Sequence, residues 1–340
     1  MRDLLVAGGG PIGLATALHA ARAGLDVVVA EPRQGPVDKA CGEGLMPGAV
    51  AELTALGVRL DGRPIEGIRY LDGDHVAEAR FAHGPGRGVR RTTLHDALSE
   101  AVCVAGIDVE QRAVASVEDR GDHLLVDGES VRHLVAADGL HSPLRKLLGL
   151  DGRPAPERRY GLRSHVATAP WSGCVEVHWS PDAEVYVTPV ADDLVGVAVL
   201  SSDRQPFEQL LTHFPALLER LGDTERTRVR GAGPLRQRSR RRTAGRALLV
   251  GDASGYVDAL TGEGIALGLA QARAAVDAVR RGDPASYEWA WRRLGWRHDL
   301  LTRGLLAASG RPGVRRRIVP AAAALPRVFG AAVNQLARPA

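Results

Sequence analysis

The chain has 340 residues, 45% of them hydrophobic and 25% charged, with a net charge of +4. That is the make-up of a globular protein of about two domains. The excess cations are arginines, with only Lys39 and Lys146 as lysines, and no aromatic residues interleave with them, which argues against a nucleic-acid surface.

The opening stretch "DLLVAGGGPIGLATALHAARAGLDVVVAEPR" predicts a strand over 4–7, a glycine turn, a helix over 11–23 and a strand over 27–30 closed by Glu31. Gly8, Gly10 and Gly13 fit G-x-G-x-x-G in the context that motif requires. Gly8 permits the tight turn, Gly10 lets a pyrophosphate approach the backbone, and Gly13 lets helix and strand pack closely. The helix start at Pro11, Ile12 and Gly13 offers free N–H groups to the phosphates. Glu31, with Pro32 and Arg33 behind it, stands where a carboxylate would accept ribose hydroxyls and repel a 2′-phosphate. This predicts a dinucleotide site.

Further along, 68–81 reads as two strands around a turn, and "RTTLHDALSEAVCVAGIDV" as a helix then a strand. The segment 123–137 reads as a hairpin followed by a buried strand over 134–137. From 158 to 233 short strands separated by turn residues suggest a mainly antiparallel sheet, broken by helical patches at 207–211 and 216–221. "LLVGDASGYVDALTGEGIALG" (248–268) returns to a buried strand, a turn and a helix. Past Gly282 the chain turns helical, and Trp289, Trp291 and Trp296, with the apolar residues near Leu305 and Val328, are expected to cover the other lobes.

The fold class expected is α/β. It comprises a Rossmann-like dinucleotide-binding domain (1–67, 90–157 and 241–283), an inserted, mainly antiparallel β-sheet substrate domain (68–89 and 158–240) and a helical C-terminus (284–340). Cys41, Cys103 and Cys174 form neither a disulfide framework nor a zinc site, and the histidines lack metal-ligand spacing, so no metal is expected. No apolar run reaches the roughly 18 residues that span a bilayer. The chain opens in a strand without a leader segment, so a cytoplasmic location is expected.

Three motifs in this order, "GGGPIG…E", "AADGLHSPLRKLLGL" (136–150) and "GDASGYVDALTGEGIALG" (251–268), resemble the flavoprotein hydroxylases of the p-hydroxybenzoate hydroxylase type and their relatives, the geranylgeranyl reductases. The resemblance implies one non-covalent FAD. Its ADP half would be held by the first turn and Glu31, and its phosphate region would face Arg91. Asp138 and Gly139 would lie beside it, and Gly251 and Asp252 would bind its ribitol and pyrophosphate region. The loop Gly262–Gly264 would bring the helix starting near Ile265 to the flavin ring, where N–H donors stabilise negative charge. Glu263 is expected to cap that helix. Read from the residues alone, Asp252 also fits an N-cap and Asp138 a turn former.

Gly255 stands where many hydroxylases have histidine, "TGEGI" resembles the reductases, and "KACGEGLMPGAV" resembles their cysteine–glycine segment, which places Cys41 and Gly42 near the flavin. Cys41 fits a redox thiol, a substrate contact or a structural residue. Met46, Tyr186 and Pro189 are the expected substrate-pocket walls. The favoured reading is a monooxygenase that hydroxylates a hydrophobic aromatic, polyketide or phenolic-lipid substrate through a flavin C4a-hydroperoxide. The alternatives are reduction of an isoprenoid or lipid double bond and a flavin-binding electron-transfer partner. NAD(P)H is expected as a transient reductant, since no second dinucleotide turn is evident. The basic, apolar stretch from Arg311 onward is expected to pack on the substrate lobe, with peripheral membrane contact as the alternative.

Overall fold

Leu4–Ala7 and Val27–Ala30 are continuous apolar runs rather than alternating ones. In the computed structural model, which describes residues 1–156 and 158–338, both lie inside a sheet covered on its two faces. The expected boundary at Glu157 and the last two residues of the C-terminal stretch lie outside the described residues. The strand order is Thr243–Ala244, Ala247–Leu249, Glu129–Ala136, Arg2–Ala7, Val27–Ala30, Asp108–Glu110. It is parallel from Ala247–Leu249 through Asp108–Glu110.

Side chains alternate across this sheet. Leu4 and Val6 meet Leu14 and Leu18 of α1 (Pro11–Arg22), Leu53 of α2 (Pro47–Ala55) and Leu98 of α3 (Arg91–Val104). Leu5 and Ala7 meet Leu144 of α4 (Pro143–Leu147) and the strand Leu124–Val126. The hairpin and buried strand expected over 123–137 share one strand. Glu129–Ala136 pairs antiparallel with Leu124–Val126 at its start and parallel with Arg2–Ala7 along its length. It is simply long enough to do both.

The second sheet has seven strands, in the order Arg230–Ala232, Tyr160–Val166, Leu194–Ser201, Ala183–Ala191, Cys174–Trp179, Gly67–Asp72, His75–Arg80. Every pairing is antiparallel except Cys174–Trp179 with Gly67–Asp72. On one face, Val185, Val187, Val197 and Val199 pack against α5 (Phe207–Leu211) and α6 (Pro215–Leu221). The other face looks toward the nucleotide-type domain. A third sheet, of Gly44–Leu45, Gly86–Gly88 and Arg63–Ile65, has its strands interleaved in the chain with Gly67–Asp72 and His75–Arg80.

The chain re-enters the first domain through Thr243–Ala244 and Ala247–Leu249, continues with α7 (Gly264–Arg280) and α8 (Ser286–Ser309), and runs into α9 (Pro312–Arg315), α10 (Ile318–Ala324) and α11 (Pro326–Ala337). The expectation for the tryptophans needs correcting. Trp291 packs on the first core and donates Nε1–H to Ser254 Oγ at 2.8 Å, but Trp289 and Trp296 are 66% and 54% exposed. They fall on the side of α8 opposite its buried Tyr287 and His298. Leu305 does pack on the substrate sheet, while Val328 is exposed. Among the described residues no helix is long and apolar enough to cross a membrane.

Candidate active site

The first turn is shaped by what its glycines must avoid. Gly8 has φ +111°, and a Cβ there would lie 2.5 Å from the Ala137 carbonyl oxygen. A Cβ on Gly13 would lie 1.8 Å from the Gly8 carbonyl oxygen. Gly10 differs, because a Cβ there would meet nothing within 4 Å. Its open side faces a cavity of about 650 Å³ between the two sheets. Gly10 also occupies the cap position of α1 with no side-chain cap, leaving the first N–H groups of the helix for a ligand.

Glu31 behaves otherwise than expected. Its carboxylate accepts four hydrogen bonds, from Gly9 N–H (2.7 Å), Arg33 N–H (3.0 Å), Arg33 Nε (2.6 Å) and Arg33 Nη2 (2.8 Å). These use the acceptor capacity of a carboxylate, so a ribose hydroxyl would have to displace one of them. Arg33, not Glu31, lines the cavity. Pro32 is exposed and lines nothing there.

Arg33, Lys39, Arg91 and Asp252 converge at this end of the cavity. Partial desolvation, with Arg33 and Arg91 nearby, holds the Lys39 ammonium below its usual range. Burial raises the Asp252 carboxyl, against the opposing pull of Arg91 and Lys39. Among the described residues no hydrogen bond reaches the Asp252 side chain, and Nε of Arg91 is buried without a partner. Three cations, an orphaned guanidinium N–H and an open glycine suit a diphosphate. Lys39 was not singled out from the sequence, although it is one of two lysines in an arginine-rich chain.

Asp138 and Gly139 also line the cavity. The Asp138 carboxylate accepts from Ser142 Oγ (2.5 Å) and Leu144 N–H (3.0 Å), which makes it the organiser of the turn into α4. Gly139 has φ +87°, and a Cβ there would approach Lys39 Nζ to 3.0 Å. Arg145, fully buried, fastens this motif to the third one. It donates to Asp151 (2.7 Å), Gln237 (3.0 Å) and the Ala253 carbonyl (3.1 Å).

In the third motif, Gly251 (φ +59°) gives its N–H to Gln271 Oε1 at 2.9 Å, and its Cα side packs on Ile12. Gly262, Gly264 and Ile265 line the cavity, so the N-terminus of the 17-residue α7 points at it. Glu263 holds the cap position of α7 but gives no side-chain cap. Its Oε2 instead meets Nδ1 of His298 at 2.6 Å, while burial raises its carboxyl. Thr261 Oγ1 meets Thr302 Oγ1 at 3.1 Å. The loop is therefore braced by α8, and the helix N–H groups are left uncapped.

Cys41 and Gly42 line the same cavity, and the Cys41 sulfur accepts the Glu43 N–H at 3.4 Å. Glu43, missed from the sequence, has φ +59° and is buried. Its Oε1 accepts the Arg91 N–H (2.9 Å), and its Oε2 meets His165 Nε2 (2.7 Å).

Of the expected substrate walls, Met46 and Tyr186 line the cavity, and the Tyr186 hydroxyl donates to the Leu260 carbonyl at 2.7 Å. Pro189 does not. Tyr186 and Thr188 share the cavity face of their strand, and Pro189 has the other parity, its carbonyl pressed against Gly88. The far half of the cavity is walled by Tyr70, by Leu305 of α8, by Ile318 of α10, and by Phe329 and Leu336 of α11. Among the described residues, the charged lining residues, namely Arg33, Lys39, Glu43, Arg91, Asp138 and Asp252, belong to the segments around the glycine turns. Tyr70 stacks on Phe329 with ring centroids 4.8 Å apart, so the C-terminal helices close the cavity.

A buried ionic cluster joins these parts. Glu184 of the substrate sheet pairs with Arg159 and with Arg315 of α9 (2.7 Å), and Arg159 pairs with Asp258 (3.2 Å) just before the α7 loop.

The family profile described as FAD binding domain matches residues 1–279. A menaquinone reductase of Mycobacterium tuberculosis is 33% identical over 320 residues, covering 83% of this chain and 78% of that protein. Digeranylgeranylglycerophospholipid reductase 1 of Methanothermobacter thermautotrophicus is 26% identical, covering 86% and 80%. Among solved structures, the p-nitrophenol 4-monooxygenase of Pseudomonas putida superposes with a TM-score of 0.82 at 16% identity, covering 99% and 96%, a likeness of fold alone.

Proposed function

We propose that this chain, which belongs to the FAD binding domain family and is an FAD-dependent oxidoreductase, reduces a carbon–carbon double bond in the isoprenoid chain of a lipid such as a polyprenyl quinone. One observation carries the reading: beyond the glycine turns the cavity wall holds no charged side chain among the described residues. A substrate bearing a carboxylate would be desolvated there without a partner. A long apolar chain gains from the same wall by burial. The names of the menaquinone and digeranylgeranyl relatives point the same way.

FAD, when bound and reduced, supplies the two electrons of the reaction. The chain's own residues hold and aim it. Gly10 and the start of α1 would take the diphosphate, Arg33, Lys39 and Arg91 would balance its charge, and Asp252 would accept from its hydroxyls. The uncapped start of α7 would stabilise negative charge near Gly264 and Ile265. Tyr186, Leu260 and the C-terminal helices exclude water from the substrate. The phenols of Tyr70 and Tyr256 are pushed up by burial, stay protonated at neutral pH, and so line the cavity as donors for a polar head such as a quinone carbonyl.

Hydroxylation is the second reading, favoured by the apolar wall of the same cavity, which would protect an oxygenating flavin. The test is turnover of chemically reduced enzyme with menaquinone without oxygen, followed by exposure to air and mass spectrometry. A gain of two hydrogens that survives air oxidation marks a saturated chain, since a reduced quinone ring would revert. No anaerobic product, with labelled oxygen incorporated under air, overturns the reduction reading in favour of hydroxylation.

A further inference from the structure

The outer face of α8 is the reverse of an ordinary surface helix. Trp289, Arg293, Trp296, Leu300 and Arg303 recur at spacings of four, three, four and three, so they form one stripe along the helix. All five are exposed, Leu300 at 65%. The residues that α8 buries, Tyr287, Gly295, His298, Thr302 and Ser309, lie opposite. Arg293 sits 5.3 Å from the Trp289 ring centre, and Arg297 sits 5.2 Å from that of Trp296. Each indole is thus partnered by a cation, an arrangement at home where an apolar body meets a charged boundary.

The stripe also marks an opening. Leu300 and Gly304 are exposed and line the large cavity, as does Gly262 in the loop that α8 braces through Thr302. From Leu300 to Arg338 the sequence contains no acidic residue, and Arg303, Arg311, Arg316, Arg317 and Arg327 are all exposed.

We propose that the outer stripe of α8 lies in the headgroup layer of an anionic lipid bilayer, so that the cavity mouth at Leu300 and Gly304 opens directly onto lipid. The tryptophans and Leu300 enter the interface while the arginines engage phosphates, the geometry of an in-plane amphipathic helix. This relocates the membrane contact expected of the chain from Arg311 onward. There, α10 and α11 turn Ile318, Phe329 and Leu336 inward onto the cavity and expose only scattered apolar residues such as Leu325 and Val328, whereas the exposed apolar residues of α8 form a stripe. The proposal concerns where the protein sits and does not depend on which chemistry the cavity's inner end performs.

The test is flotation of the holoprotein with phosphatidylcholine vesicles, with and without phosphatidylglycerol, for wild type, a Trp289→Ser/Trp296→Ser variant and an Arg293→Ser variant. FAD absorbance and melting temperature verify that each variant is folded. The wild type should float with the anionic vesicles and be released by salt. The double tryptophan variant should bind about tenfold more weakly, and the arginine variant roughly fivefold more weakly. Tryptophan emission should shift to the blue on binding in the wild type and the arginine variant, and not in the double tryptophan variant. Equal binding to neutral and anionic vesicles, or unchanged binding by the tryptophan variant, would overturn the proposal. So would a wild-type dimer in sedimentation that the tryptophan variant lacks, because the face would then belong to a second copy.

Discussion

Glu43 reaches His165 across 122 residues of sequence, Oε2 to Nε2 at 2.7 Å, and with its other oxygen it accepts the N–H of Arg91 at the start of α3. One carboxylate thereby ties the Cys41–Gly44 turn to the substrate sheet and to the nucleotide-type domain. Removing it leaves His165 Nε2 buried without its partner and takes from Arg163 one of its two carboxylates, the other being Asp38. Glu43→Ala should therefore cost about 3–5 kcal/mol in equilibrium unfolding by urea. Glu43→Gly should cost about 1 kcal/mol less, because the position has φ +59°.

Asp252 presents the opposite case. Its carboxylate makes no hydrogen bond among the described residues, and burial raises it. Asp252→Ala should weaken FAD roughly ten- to hundredfold, the loss of one charge-assisted bond of about 1.5–3 kcal/mol. The apoprotein should be as stable as wild type or more so, since a desolvated carboxylate is removed. Flavin fluorescence titration and thermal unfolding of the apo form measure the two effects separately.

At Glu31, burial works upward, but the hydrogen bonds from Arg33 and Gly9 prevail and hold its carboxyl below the ordinary range. The stabilisation is present above the ordinary carboxylate range and is lost as pH falls through the lowered value. Thermal midpoints of the apoprotein across the acid limb should fall more shallowly with acid in Glu31→Gln than in wild type.

Cys41 uses its sulfur as an acceptor for the Glu43 N–H, and a serine hydroxyl can take the same bond. Cys41→Ser should bind FAD within about twofold of wild type and keep at least roughly a tenth of its turnover. A variant with full flavin content and no turnover would mark the thiol as catalytic.

Ala332 of α11 lines the far end of the cavity. If a polyprenyl chain lies there, Ala332→Trp should raise KM for a long-chain substrate by roughly tenfold or more and leave a short-chain analogue nearly untouched. An equal loss for both chain lengths would place the substrate elsewhere.

The parts legible in the sequence were those whose reasons are local. Gly8, Gly10 and Gly13 sit within one turn, and Gly262 and Gly264 open one helix, so spacing alone announced them. Glu43, Lys39 and Arg145 were not legible, because each acts on residues far along the chain, as Arg145 does on Ala253. Pro189 was misplaced by parity: on a strand, one residue separates cavity from core. Trp289 and Trp296 were misread because hydrophobicity gives the existence of a stripe but not which way it turns. Glu31 had the right charge in the right place, but Arg33, two residues on, had already occupied it.

The cluster of Glu184, Arg159, Arg315 and Asp258 has a consequence for proteolysis. A cut just past Ser309 would release Arg315 together with α10 and α11. Glu184, fully enclosed, would lose one of its two cations, and the pull on Arg159 and through it on Asp258 would change. Damage at the tail would thus be felt at the turn leading into α7, across the cavity. Limited digestion that removes α10 and α11 should weaken flavin binding as well as open the cavity, and the clipped protein should lose its yellow colour.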